Sequence, residues 1–140
     1  MYKRTLIKLA AALLLVPSLQ VAAGVAVVVN PSVSASATAD DISKLFLGKS
    51  NGLNGVSLTP IDQEEGSAVK EAFYQNATKK TPSQLNAYWS RIIFTGKGQP
   101  PNAVFDDAEV KELIAKDPSF VGYIDSGSVD ATVKVISTFD

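Results

Sequence analysis

Apolar positions along this chain recur at two spacings, and the switches between them predict short strands alternating with helices. Val25, Val27, Val28 and Val29 form a compact apolar run over 24–29, ended by Asn30 and Pro31, which predicts a strand buried on both faces. After a small, polar loop over 32–38, Thr38 and Asp41 fit a capping box. Ile42, Leu45 and Phe46 then follow at helical spacing, with Gly48 as the stop. Asn51, Gly52, Asn54 and Gly55 are turn residues, and Val56, Leu58 and Ile61 predict a second strand ending before Asp62. Gly66 and Ser67 open the next helix, with Val69, Ala72, Phe73 and Asn76 as its inward stripe. Thr81, Pro82 and Gln84 start another, whose wide apolar face is Leu85, Tyr88, Trp89, Ile92 and Ile93. The aromatic stripe of Tyr74, Tyr88, Trp89 and Phe94 reads as core. Gly96 to Asn102 holds two glycines and two prolines and is an irregular loop. Asp106 and Glu109 cap a helix carrying Val110, Leu113 and Ile114, stopped by Pro118, and strands follow at Val121–Ile124 and Val133–Ile136. This alternation predicts one α/β domain over 24–140, a sheet with helices packed on its faces.

Residues 1–23 break the pattern. Lys3, Arg4 and Lys8 precede an apolar run from Leu9 to Val16, Pro17 interrupts it, and Val21-Ala22-Ala23 supplies small residues, so a signal peptide cleaved after Ala23 is expected. The run is shorter than the roughly 20 residues a bilayer span needs, which predicts no membrane insertion after cleavage. Export to the periplasm, or secretion, follows from that reading. Cleavage removes three of the thirteen basic residues and none of the fourteen acidic ones, changing the net charge from −1 to −4. An acidic chain is a poor partner for nucleic acid. The chain has no Cys and no His. Disulfides, thiolate or imidazole metal sites and His-based catalytic pairs are thereby closed. The expectation is a protein that is not an enzyme, with neither metal nor cofactor.

Three segments carry a family resemblance: Val25-Ala26-Val27-Val28-Val29-Asn30-Pro31, then Ile42-Ser43-Lys44-Leu45-Phe46-Leu47-Gly48-Lys49, then Glu65-Gly66-Ser67-Ala68-Val69-Lys70-Glu71-Ala72-Phe73, with Gly122-Tyr123-Ile124 near the end. Together they resemble the solute-binding proteins of phosphate ABC transporters, in one lobe of their type II periplasmic-binding-protein fold. The segment from Tyr88 to Pro101, YWSRIIFTGKGQPP, is similar to one in short exported proteins described as phosphate-binding-like. The resemblance implies a single three-layer lobe with a mixed sheet flanked by helices. It also implies an anion site where a loop similar to GSGT feeds a helix N-terminus, whose free N–H groups and dipole favour negative charge.

Gly66 and Ser67 match that loop, while Ala68 and Val69 stand where the family has Gly and Thr. Arg91 and Lys97 are the candidate cations. Asp62, Glu64 and Glu65 precede the helix and oppose an anion there unless they point away. Two functions follow as expectations. One is binding of phosphate or another small oxyanion through Gly66, Ser67, Arg91 and Lys97. The other is an interaction or sensory accessory module of the envelope, in which the fold persists without the anion and the lobe meets a partner protein or a second copy. Convergence of Ser67, Arg91 and Lys97 favours the first, and exposed apolar residues near 66–69 favour the second.

Overall fold

The computed structural model describes residues 24–140; the expected signal peptide, residues 1–23, lies outside them. In chain order the elements are β1 (Val25–Val29), α1 (Ala39–Phe46), β2 (Gly52–Leu53), β3 (Val56–Ser57), β4 (Thr59–Pro60), β5 (Asp62–Gln63), α2 (Ala68–Thr78), α3 (Pro82–Phe94), β6 (Ala103–Val104), α4 (Asp107–Lys116), β7 (Phe120–Asp125) and β8 (Lys134–Phe139), with a 3-10 turn at Ser126–Ser128. The main sheet has four strands in the order β4-β7-β1-β8, with β1 antiparallel to both neighbours and β4 parallel to β7.

The unbroken valine run of β1 has its reason in the layers around it. Val25, Val27 and Val29 face Phe46, Phe73 and Leu85 of α1, α2 and α3, while Ala26 and Val28 face Val110 and Ile114 of α4. Both faces of the central strand are covered, so neither set of alternate positions is polar. The result is the three-layer lobe with a mixed sheet. Gly122 in β7 lets α4 sit close, since a Cβ there would lie 2.6 Å from Val110 Cγ1.

The local signals at the helix ends act as read. Thr38 and Asp41, and Thr81 and Gln84, form reciprocal capping boxes, and Asp106 caps α4. Gly48, at φ 74°, closes α1 with Lys49 N donating to Lys44 O at 2.7 Å and Gly48 N to Leu45 O at 3.1 Å.

Two expectations are corrected. The strand expected over Val56–Ile61 is divided, because the extended segment changes partner along its length. Thr59 N and Ile61 N donate to Ser119 O and Val121 O on one side, then Asp62 N and Glu64 N donate to Asn102 O and Val104 O on the other. Pro60 falls at the outer edge, where its missing N–H interrupts no ladder bond. The second correction concerns α3. Leu85 and Trp89 are buried and Tyr88 and Ile92 half-buried, but Ile93 is 53% and Phe94 93% exposed. Ile93 continues the row of Leu85 and Trp89 to the end of the helix, where the core no longer covers it, and Phe94, about 100° further round, turns away from that row.

Candidate functional site

The loop that the resemblance marks does open a helix. Gly66 has φ 91°, a left-handed conformation that favours glycine, and it turns the chain into the N-cap Ser67. Ser67 Oγ accepts from Lys70 N at 3.2 Å and donates to Gln63 Oε1 at 3.1 Å, so its one proton and one of its lone pairs are already engaged. The start of α4 faces it. Asp106 accepts from Glu109 N at 3.0 Å, and the Glu109 carboxylate accepts from Phe105 N at 2.6 Å. Between the two helix starts lies an open groove of about 510 Å³, with Gln63, Ser67 and Val69 on one side and Phe105, Asp107 and Lys111 on the other.

Beneath the groove runs a buried polar network. The Asp62 carboxylate is buried and accepts from Tyr74 Oη at 2.8 Å, from Gln63 N at 2.9 Å and from Tyr123 Oη. Lys70 Nζ stands 3.5 Å from it. Gln63, also buried, donates through Nε2 to Asp107 Oδ1 at 2.7 Å and to Tyr123 O at 3.0 Å. Asp107 Oδ2 then accepts from Ser128 Oγ at 2.7 Å and Asp125 N at 3.1 Å, tying α4 to the end of β7. Buried polar groups that find partners in this way make the arrangement rigid.

Burial first, and the adjacent Asp62 charge second, push the Tyr74 and Tyr123 phenols well above the ordinary tyrosine value. Above about pH 10 the unfolded chain releases these protons while the folded chain keeps them, so the folded state binds more protons and stability falls as pH rises. A loss of up to about 1.4 kcal/mol per pH unit for each phenol is expected there, with no contribution to the slope below it. Urea unfolding between about pH 9 and 11 measures this, and a stability flat across that range would contradict the buried network.

The four predicted residues divide into two pairs. Ser67 lines the groove, and Gly66 beside it is exposed and borders a separate small cavity with Lys70 and Tyr74. Arg91 and Lys97 are exposed at the C-terminal end of α3, and neither lines the groove. Of the acids before the helix, Asp62 turns inward, Glu65 accepts from Asn86 Nδ2 at 2.8 Å, and Glu64 is exposed. The groove's cation is Lys111, which sequence reasoning missed. It donates to Ser128 O at 3.0 Å and Asp130 Oδ2 at 2.9 Å. The Thr132 hydroxyl and then Lys111 itself hold the Asp130 carboxyl down at about 2.

Gln63, Asp107 and Phe105 were missed as well. An apolar residue directly before an N-cap reads as a staple packing on the fourth helical residue, here Val110. Phe105 is instead 70% exposed while Val110 is buried under Gly122. Among the described residues no cluster of His, Cys, Asp or Glu is arranged to hold a metal ion.

No protein-family model and no curated protein matches this chain. Solved structures do. An ABC-type phosphate transport receptor from Vibrio cholerae superposes with a TM-score of 0.63 at 21% identity, over 82% of this chain and 46% of the receptor. A phosphate ABC transporter substrate-binding protein with bound phosphate from Clostridium perfringens gives 0.61 at 17%, over 82% and 44%. PstS from Borrelia burgdorferi gives 0.59 at 17%, over 82% and 47%. The chain spans less than half the length of each. By its three layers, its sheet and these superpositions, it has the fold of one lobe of the periplasmic phosphate-binding proteins.

Proposed function

We propose that this chain is an exported envelope protein that retains the lobe fold of a phosphate receptor and uses the groove between α2 and α4 to dock a protein rather than to bind an anion. One observation carries the reading: the Ser67 hydroxyl is engaged by Gln63 and Lys70 N, while Phe105 stands exposed in the same groove. An anion entering there would displace the Gln63 contact and face Asp106 and Asp107, with Lys111 already held by Asp130. A like charge about 6 Å away costs about 0.7 kcal/mol in bulk water and about 3 kcal/mol at an effective dielectric near 20. Arg91 and Lys97, which would offset that cost, border no part of the groove. Aromatic residues are enriched in protein contacts, and Phe105 is the exposed aromatic that the groove offers. In two-lobed receptors ligand is enclosed by closure of one lobe on the other, and the corresponding groove here is open.

Phosphate binding is the second reading, and it rests on the fold alone, which this chain shares with a structure that contains bound phosphate. Two measurements separate the readings. Calorimetric titration of the purified protein with phosphate is expected to give no saturable heat at millimolar concentration. A photo-reactive residue in place of Phe105, expressed in the native envelope, is expected to give a discrete protein adduct that the same residue at Val135 does not. Saturable heat that vanishes in Ser67→Ala would replace the docking reading with the anion one.

A further inference from the structure

The charges of this chain are segregated, and the segregation coincides with its exposed aromatic side chains. No Asp or Glu occurs between Glu71 and Asp106, a stretch that carries Lys79, Lys80, Arg91 and Lys97. The last turn of α3 is its most exposed apolar point: Phe94 is 93% and Ile93 53% exposed. Arg91 precedes Phe94 by three positions and so shares its side of the helix. Lys97 follows the turn that closes the helix, where Gly96 N donates to Ile93 O and Lys97 N to Ile92 O, each at 3.1 Å. Those two backbone hydrogen bonds end α3 and leave Phe94 as an exposed knob in its last turn, with Arg91 and Lys97 each three positions away in the chain. Among the described residues neither Arg91 nor Lys97 takes part in an ion pair.

The groove has the complementary character. Phe105 is 70% exposed, Asp106 lines the groove with it, and Glu109 hydrogen-bonds its backbone. Glu64 N bonds to Val104 O, so the exposed Glu64 belongs to the strand pair that leads into Phe105. Lys111, the one cation among the groove's described lining residues, is neutralised by Asp130 at 2.9 Å.

From this pairing we infer that the groove's partner is a second copy of this chain, with the Phe94 knob of one copy seated against Phe105 of the next. The inference rests on the docking reading of the groove. The two aromatic residues supply the desolvated anchor, and the opposed charges set orientation and rate of encounter. The knob and the groove are different patches, so a single knob-in-groove contact joins two copies head-to-tail, and two such contacts made reciprocally close a two-fold dimer. In the head-to-tail case each bound copy still presents a free knob or a free groove, and assembly continues with concentration unless a ring closes.

Phe94→Ala and Phe105→Ala test this, since both side chains are exposed and neither variant opens the core. In sedimentation velocity, the average mass of the wild-type protein is expected to rise with concentration in about 20 mM salt and to fall in about 0.5 M salt, where charges are screened. Each variant alone is expected to associate more than about tenfold more weakly. An equal mixture of the two is expected to form a species of twice the monomer mass and to stop there. The intact groove of one variant then receives the intact Phe94 of the other, and the remaining knob and groove are both dead. A wild-type protein monomeric at every concentration, or a mixture that fails to pair, overturns the proposal. If the protein is monomeric while position 105 still gives a foreign adduct in the envelope, self-docking fails and the docking reading stands. Saturable phosphate heat lost in Ser67→Ala removes the docking reading itself.

Discussion

Asp62→Ala is expected to lower the unfolding free energy by about 3–5 kcal/mol, the range found when one partner of a buried, hydrogen-bonded charge is removed. The carboxylate accepts from both buried phenols and from Gln63 N, and it faces Lys70. Truncation to a methyl group strands the two phenol donors, while Gln63 N keeps Tyr123 Oη at 3.0 Å, and each stranded group costs roughly 1–3 kcal/mol. Asp62→Asn keeps one acceptor oxygen at the same position and should cost clearly less. Denaturant unfolding reads both variants, with an unchanged slope expected because the surface exposed on unfolding is the same. A loss below about 1 kcal/mol for the alanine variant would mean that Tyr74 and Tyr123 are held by packing alone.

Phe73→Ala is expected to cost a similar amount, about 3–5 kcal/mol, through the cavity it leaves between α2 and the sheet. The Phe73 ring is buried and stacks on Tyr123 with centroids 4.1 Å apart and planes 7° from parallel. It meets Phe46 edge-on at 4.8 Å and Tyr74 at 5.1 Å. Phe73→Leu retains most of the volume and loses the stacking, so a loss smaller by at least about 1 kcal/mol is expected. Equal losses in the two variants would show that ring geometry, not filled volume, governs this contact. Asp62 and Phe73 both position Tyr123, one through its hydroxyl and one through its ring face. Their double variant should therefore be less destabilised than the two single losses combined.

These two residues also bear on the proposed function. The network that stabilises the lobe is the one that occupies Ser67, since Gln63 joins the Asp62 and Tyr123 side to Ser67 and Asp107. Stability at the base of the groove and availability of its hydroxyl are thus opposed. A chain that binds its own polar groups this fully leaves the apolar Phe105 as the exposed feature of the site.

Sequence by itself determined the elements with local causes. The capping pairs Thr38–Asp41 and Thr81–Gln84, the stop at Gly48, the helix start at Gly66-Ser67 and the doubly buried β1 all rest on residues within a few positions of one another. Their hydrogen bonds and periodicities are short-range and leave a readable pattern. Tertiary structure alone decided the rest. Asp62 and Gln63 are buried because the chain there leaves β7 for β6 and meets Tyr123, 61 and 60 positions away, and no spacing records such a meeting. Phe94 and Phe105 have the composition of core residues and lie outside it, because the packed stripe of α3 stops at Ile92 and Val110 already fills the place beneath Gly122. Burial is a property of what packs against a residue, and for these four positions the packing partners are set by the assembled layers rather than by neighbours along the chain.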